Sequence, residues 1–268
     1  MAEHVHHDGT FWSLVDRRAE ATPDVVLFED ESDLAITCAG YRDRAEQVAA
    51  GFLAAGVAPG SVVSWQLPTS VDTAVVMAAL SRLSVCQNPV IPILRSHEVR
   101  SIVGSCATGT FLTVPEWQGF DHGGLARDLA DEFGLVPMVL DHLPVGDPSD
   151  LPPAPRPTDD VRWIFSTSGS TAAPKNVKHT DASAVAGMNA FVHFVRPEPA
   201  DVMPIAFPIA HIGGIAMISA ALSVGFRILL LRRFDPVEGP RLMAERGASI
   251  LGSALPFFVA YLAAQRAH

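Results

Sequence analysis

The sequence predicts an α/β fold of largely parallel sheets flanked by helices. Short apolar, β-branched runs alternate with segments of helical period from one end to the other, which is the pattern of strand, crossover helix and parallel strand. Across 268 residues, 49% are apolar and 18% charged, enough to bury a large core and far from the composition of a disordered chain. No fixed-period repeat runs through the chain, so a solenoid is excluded.

Strands are expected at Val25 to Phe28 and Val62 to Leu67, both short, apolar and bounded by turn residues. Between them, Ala45, Val48, Ala49, Phe52 and Leu53 recur at helical spacing, so Tyr41 to Ala55 reads as an amphipathic helix stopped by Gly56. The rhythm continues with helix 71–83, strand 89–94, helix 97–105, strand 110–114, helix 125–133 and strand 137–140. Six prolines between His142 and Asp160 then remove all periodicity, and this stretch reads as an extended linker. Residues 1–141 are thus expected to form a first subdomain and 161–268 a second. The second contains strand 161–166, a polar loop, helix 181–195, strand 202–207, helix 212–224, strand 226–231, helix 236–246, strand 249–252 and a helix from Pro256.

A formal charge of -10 opposes a nucleic-acid surface, which needs a concentrated basic face. Cys38, Cys86 and Cys106 are odd in number and form no CxxC pair, so a reducing, cytoplasmic setting is expected over a disulfide framework. The polar start of the chain lacks the features of a signal peptide, and Gly225 and Arg227 interrupt the one long apolar stretch, Gly213 to Leu231. His4, His6 and His7 read as a solvated tail, because metal ligands must be held in geometry, and no metal-ligating residues are assigned.

Chemistry is concentrated in Trp163-Ile-Phe-Ser-Thr-Ser-Gly-Ser-Thr-Ala-Ala-Pro-Lys175. Directly after a strand, hydroxyls, small residues and backbone N–H groups can wrap phosphate oxygens, and a terminal lysine supplies a mobile positive charge. The segment is not a Walker loop, since the second glycine is missing and Pro174 precedes the lysine. Only two of the 19 basic residues, Lys175 and Lys178, are lysines, and both stand beside this loop. A flexible Ser/Thr-rich surface loop is the plainer alternative.

Thr167, Ser168, Gly169, Ser170, Thr171, Pro174 and Lys175 resemble the phosphate-binding signature T-S-G-[ST]-T-G-x-P-K-G of AMP-forming adenylating enzymes. Ala172 and Asn176 replace its later glycines, which stiffens the loop there. The form of the loop, followed by His179-Thr180-Asp181, is similar to that of some acyl-CoA and cyclic-acid CoA ligases. Gly56-Val-Ala-Pro-Gly-Ser61 and Gln66-Leu-Pro68 resemble scaffold segments of the same family. Phe207-Pro-Ile-Ala-His-Ile-Gly-Gly214 resembles its P-x-x-H-x-x-G motif at the acyl pocket.

The resemblance implies part of the large N-terminal domain of the acyl-CoA synthetase fold. It implies that Thr167, Ser168, Gly169, Ser170, Thr171 and Lys175 hold the phosphates of ATP, and that His211, Gly213 and Gly214 border the carboxylic-acid substrate. His211 has a structural alternative as a core-bonded helix terminus, and the glycines one as relief of packing; Ile215, Met217 and Ile218 are core residues first. ATP, Mg2+ and coenzyme A are the implied cofactor and co-substrates. The implied partners are an apolar carboxylic acid and, for assembly, a homodimer, with no nucleic acid. The 268 residues contain no Tyr-Gly-x-Thr-Glu segment and no lysine after Lys178, so they read as a truncated ligase with no catalytic residue of its own. A non-catalytic nucleotide- or acyl-binding module, or an interaction protein, built on the same fold remains a second class. An unrelated phosphate-binding α/β domain is a third. The expected outcome is that this polypeptide alone does not support carboxylate-dependent exchange of labelled pyrophosphate into ATP, and exchange at ordinary enzyme rates would overturn that expectation.

Overall fold

The computed structural model describes residues 4–167, 175–252 and 255–267. Its strands are β1 (Val26–Asp30), β2 (Ala35–Thr37), β3 (Val62–Gln66), β4 (Cys86–Pro89), β5 (Thr110–Thr113), β6 (Glu116–Trp117), β7 (Phe120–Asp121), β8 (Val136–Val139), β9 (Trp163–Thr167), β10 (Lys175–His179), β11 (Val202–Ile205) and β12 (Arg227–Leu230). Its α-helices are α1 (Phe11–Ala21), α2 (Cys38–Ala54), α3 (Val71–Arg82), α4 (Ser96–Ser105), α5 (His122–Phe133), α6 (Asp181–Val185), α7 (Gly187–Val195), α8 (Ile212–Val224), α9 (Glu238–Glu245) and α10 (Leu255–Ala267).

Local chemistry starts most of these helices where the sequence allows. Thr10, Thr37, Ser70, Asp121 and Thr180 each accept a hydrogen bond from the N–H three residues on, which satisfies a donor that the first turn leaves open. Gly134 and Gly225 end α5 and α8 in the left-handed conformation.

Two sheets organise the molecule. One has the order β11-β12-β1-β2, parallel except for β2; the other has the order β10-β9-β4-β3-β5-β8, parallel except for β10. Ile228 and Leu230 face a central apolar cluster shared with Trp65, Trp163 and helices α1, α2, α3, α6 and α8, whereas Leu229 and Leu231 face Met243 of α9 on the opposite side. On the far face of the six-stranded sheet, Val99, Ile102 and Val103 of α4 and Leu125, Ala126 and Leu129 of α5 close a separate cluster around Phe111. The layers therefore run helix, sheet, helix, sheet, helix.

Neither sheet divides at the Pro-rich segment. Strand β1 pairs with β12, and β4 with β9, so each sheet takes strands from residues 1–141 and from residues 161–268. Residues 142–160 are extended as expected apart from one 3₁₀ turn at Pro148–Asp150, but they are strapped down. Gly146 N–H donates to Gln47 O at 2.9 Å, Arg82 Nη1 donates to Pro152 O at 2.9 Å, and a Cβ at Gly51 would meet the Pro144 carbonyl oxygen at 2.6 Å.

Several expected elements are corrected. The strand expected at 89–94 runs earlier, over Cys86–Pro89, because the polar Gln87 and Asn88 are fully buried with their amides satisfied. Gln87 Nε2 donates to Met77 O at 3.0 Å, and Asn88 Nδ2 donates to Ile164 O at 2.9 Å. The polar stretch after Pro174 is not a loop, since Lys175–His179 forms an edge strand antiparallel to β9. The helix expected at 181–195 breaks at Ala186 into α6 and α7. Residues 249–252 form no strand, although the N–H groups of Ser249 and Ile250 both point to Val202 O. Helix α1 was not anticipated; Phe11, Leu14, Val15 and Ala19 place its buried stripe at the spacing that would have identified it.

Arg18, wholly buried on α1, secures the last turn of α8. Its Nε donates to Leu222 O and its Nη2 to Ser223 O, both at 2.6 Å, which satisfies carbonyls at the end of that helix. No helix among the described residues is long and apolar enough to cross a membrane. Arg18→Leu keeps apolar volume but removes both donors, leaving Ser223 O with the Val5 N–H alone, and is expected to cost about 2–4 kcal/mol in urea-induced unfolding.

Candidate functional site

Parallel strands send all their carboxyl ends to one edge, and in open α/β sheets ligands occupy the crevice outside that edge. The loop that leaves Thr167 at the end of β9 therefore emerges beside the ends of β4 and β3. Ser168, Gly169, Ser170 and Thr171 lie outside the described residues. The structure brings their flanks together, because Thr167 and Lys175 are backbone partners at the loop end of the β9–β10 hairpin. Lys175 is exposed there.

Strand alternation separates the two lysines that the sequence had grouped beside the loop. Lys175, Val177 and His179 occupy one face of β10, and Asn176 and Lys178 the other. Lys178 is therefore not a partner of Lys175 at a common phosphate. Asn176, which stands in place of a signature glycine, is built into the scaffold. It accepts from Ser166 Oγ at 2.7 Å and donates through Nδ2 to Ser105 Oγ, at the end of α4, at 2.8 Å.

A buried carboxylate supports the hairpin from beneath. Asp181 accepts from Trp163 Nε1 at 2.7 Å and from the Phe11 N–H at 3.2 Å, and thereby ties β9 and α6 to the start of α1. Burial pushes its pKa above the ordinary carboxylate value, while the indole and backbone donors favour the ionised form.

His211 caps α8, and its Nδ1 accepts from the Gly213 N–H at 3.1 Å. It is a bonded helix terminus, as the structural alternative held, but it is exposed and not a core residue. A Cβ on Gly213 would stand 3.4 Å from the ring of Phe207 and 3.3 Å from His211 Nδ1, so the position tolerates little added bulk. Gly214 is required by packing, since a Cβ there would collide with the carbonyl of Ile209. Ile215 and Ile218 are fully buried core residues.

Thr69, which the sequence reading passed over, joins this turn to the other sheet. Its Oγ1 accepts from the Ile209 N–H at 3.0 Å and reaches Phe207 O at 3.4 Å, which pins the turn before α8 to the exit of β3. Two clefts open along this carboxyl edge. One, of about 270 Å³, is lined by Thr69, Ile93, Trp117, Phe207 and Arg233; the other, of about 340 Å³, by Ser70, Asp72, Glu116 and Asp141, and Arg232 borders both. The only sequence hint for Thr69 was its place just after the Gln66-Leu67-Pro68 segment.

Beneath the same edge, Gln66 Nε2 donates to Ile91 O at 3.1 Å and Leu94 O at 3.0 Å, which leaves its Oε1 to accept from His122 Nδ1 at 3.1 Å. The arrangement selects the Nδ1–H tautomer. His122 Nε2 is then a buried lone pair with no hydrogen-bond partner among the described residues. Burial, with Arg95 nearby, holds the pKa of His122 down to about 4.

A family model described as AMP-binding enzyme matches residues 15–268. Among curated proteins, 4-coumarate–CoA ligase-like 6 of Arabidopsis thaliana is 26% identical over 79% of this chain and 40% of its own length. Salicylyl-CoA synthase / salicylate adenylyltransferase of a Streptomyces species is 26% identical over 86% of this chain and 45% of its own. Sulfoacetate–CoA ligase of Cupriavidus necator is 27% identical over 94% of this chain and 51% of its own. The chain thus spans about half the length of the curated relatives it matches. A solved long-chain-fatty-acid–CoA ligase from Archaeoglobus fulgidus superposes with a TM-score of 0.87 at 15% identity, covering 100% of this chain and 56% of that one, which shows the shared fold.

The depressed pKa of His122 sets a pH dependence. Between pH 6.5 and about 4 the unfolded chain binds a proton that the folded chain refuses, so this residue's contribution to stability is complete above pH 6.5 and is lost as the pH falls toward 4. The full window corresponds to about 3 kcal/mol. His122→Gln is expected to shrink the loss of thermal stability between pH 7 and pH 5, as read by circular dichroism melts in matched buffers.

Proposed function

The chain belongs to the AMP-binding enzyme family, and on that premise we propose that it is the nucleotide-gripping part of an ATP-dependent acid–CoA ligase. The reaction would join a carboxylate to AMP with release of pyrophosphate, and then transfer the acyl group to the thiol of coenzyme A. The observation that carries this reading is the β9–β10 hairpin, whose hydroxyl-rich connection leaves the carboxyl edge with Lys175 at its return.

Each residue has a role of its own in this reading. The Thr167 to Thr171 run supplies hydroxyl and N–H donors to phosphate oxygens, and Lys175 supplies the compact positive charge that offsets charge gathering on the leaving pyrophosphate. Magnesium fits as an ion carried on the triphosphate, because among the described residues no three His, Cys, Asp or Glu side chains converge on a metal site. His211 and Gly213 border the carboxylic acid, whose chain would lie against Phe207; an exposed His211 and a small residue beside the ring suit an acyl group passing between them. Gly214 contributes through the shape of the turn. The clefts along the carboxyl edge are of a size for small organic acids, and the curated relatives are named for acids as different as coumarate, salicylate and sulfoacetate.

A self-contained binding module is the less supported reading. Along α9 and α10 an open groove of about 720 Å³ is bordered by Met243, Leu251, Phe258, Tyr261 and Leu262, and Leu255 and Val259 are also exposed. An apolar face of that extent suits contact with further polypeptide better than contact with water.

The test is equilibrium binding of ATP by isothermal titration calorimetry. Lys175→Gln is expected to weaken ATP about 10- to 100-fold, the size of a lost charge-assisted contact, while far-UV circular dichroism shows the variant still folded. Unaltered affinity in that variant would remove the reading.

A further inference from the structure

The face of β10 turned away from Lys175 forms a second site. Asn176 and Lys178 project on that face, opposite Ser166 and Ile164 of β9, into an open cavity of about 540 Å³. The cavity lies between the hairpin, the end of α4 and the amino ends of β3 and β4, away from the carboxyl edge. Its volume is in the range of pockets that hold small organic molecules.

Its chemistry is amphipathic. Val62, Cys86, Cys106 and Ile164 make an apolar wall, and both thiols stay neutral because burial raises their pKa values, that of Cys86 to about 11. Facing that wall are two cations and one carboxylate. The Arg162 guanidinium is committed, through Nη1 to Ser84 O at 2.5 Å and through Nη2 to Asp160 at 3.1 Å. The Lys178 ammonium makes no hydrogen bond or ion pair among the described residues. In a chain of net charge -10, an uncommitted ammonium over an apolar wall is a local exception.

We propose that this cavity binds a small carboxylate with an apolar body, its head at Lys178 and its chain against Cys86, Cys106 and Ile164. The carboxylate completes the ammonium's missing contact, and the apolar body covers the wall from water. A fully polar anion would leave the wall wet, and a neutral apolar molecule would leave the ammonium unpaired. This site is separate from the one proposed for ATP, so a ligase acting on carboxylates would carry a second position for one, remote from its phosphate loop.

The two cavity cysteines provide the readout. Hexanoate serves as probe, with hexanol lacking the charge and acetate lacking the chain as controls. The rates at which a small alkylating reagent modifies Cys86 and Cys106 are followed by peptide mass spectrometry. Hexanoate is expected to slow modification of both cysteines in the unaltered protein and in Lys175→Gln, whereas hexanol and acetate at the same concentrations protect weakly. In Lys178→Gln, half-maximal protection is expected to require about tenfold more hexanoate, with ATP binding unchanged. Equal protection by hexanol, no protection by hexanoate, or an undiminished effect in Lys178→Gln would each overturn the proposal. Loss of ATP binding in Lys175→Gln is scored separately, so the two sites stand or fall independently.

Discussion

The hydroxyl of Thr69 ties the carboxyl edges of the two sheets together. Each sheet delivers its parallel strands to a carboxyl edge, but alignment within a sheet says nothing about where the second sheet's edge will lie. Thr69, at the exit of β3, accepts from the backbone of Ile209, at the exit of β11, and that contact brings the two edges into one crevice. The clefts there and the turn that presents His211 inherit their positions from it. Where α/β sheets take ligands outside their carboxyl ends, a crevice made by two sheets offers walls on two sides.

Buried polar groups supply the second constraint. Gln66, Gln87, Asn88, His122 and Asp181 are all nearly inaccessible to solvent, and each would be costly to bury alone. They are placed so that amides and carboxylates meet backbone groups of neighbouring elements. Gln66 bridges the β4–α4 connection and α5, while Asp181 bridges α1 and β9. Such contacts set the register of strands and helices more sharply than apolar packing does, since a hydrogen bond fails within a fraction of an ångström whereas a hydrophobic contact slides.

The Pro-rich segment shows how a stretch without periodicity can still be ordered. Its backbone is mostly extended and pairs with no strand, yet Arg82 and Gln47 bind it along α2 and α3. The small side of Gly51 admits its carbonyl to within contact. It acts as a strap between parts of two interleaved sheets and not as a tether between separate bodies.

Much of the fold was legible in the sequence, because periodicity and caps are local. The parallel α/β class, most helices and most strands followed from the order of residues along the chain. Elements held by partners far away in sequence did not. Strand β4 hid behind two polar residues whose donors are satisfied by other elements, Gln87 by α3 and Asn88 by β9, and β10 behind lysines that an edge strand can expose without cost. The grouping of Lys175 with Lys178 failed for the same reason: three residues apart is near in sequence but lies on opposite faces of a strand. Sequence alone determined where hydroxyls and a lysine are concentrated along the chain and which residues can begin or end a helix, since those depend on covalent structure and the nearest few neighbours. Tertiary structure decided that the two sheets interleave across the Pro-rich segment, that Thr69 joins their edges and that the two lysines of β10 fall on opposite faces, because each of these depends on pairings that only the completed fold brings within hydrogen-bonding reach.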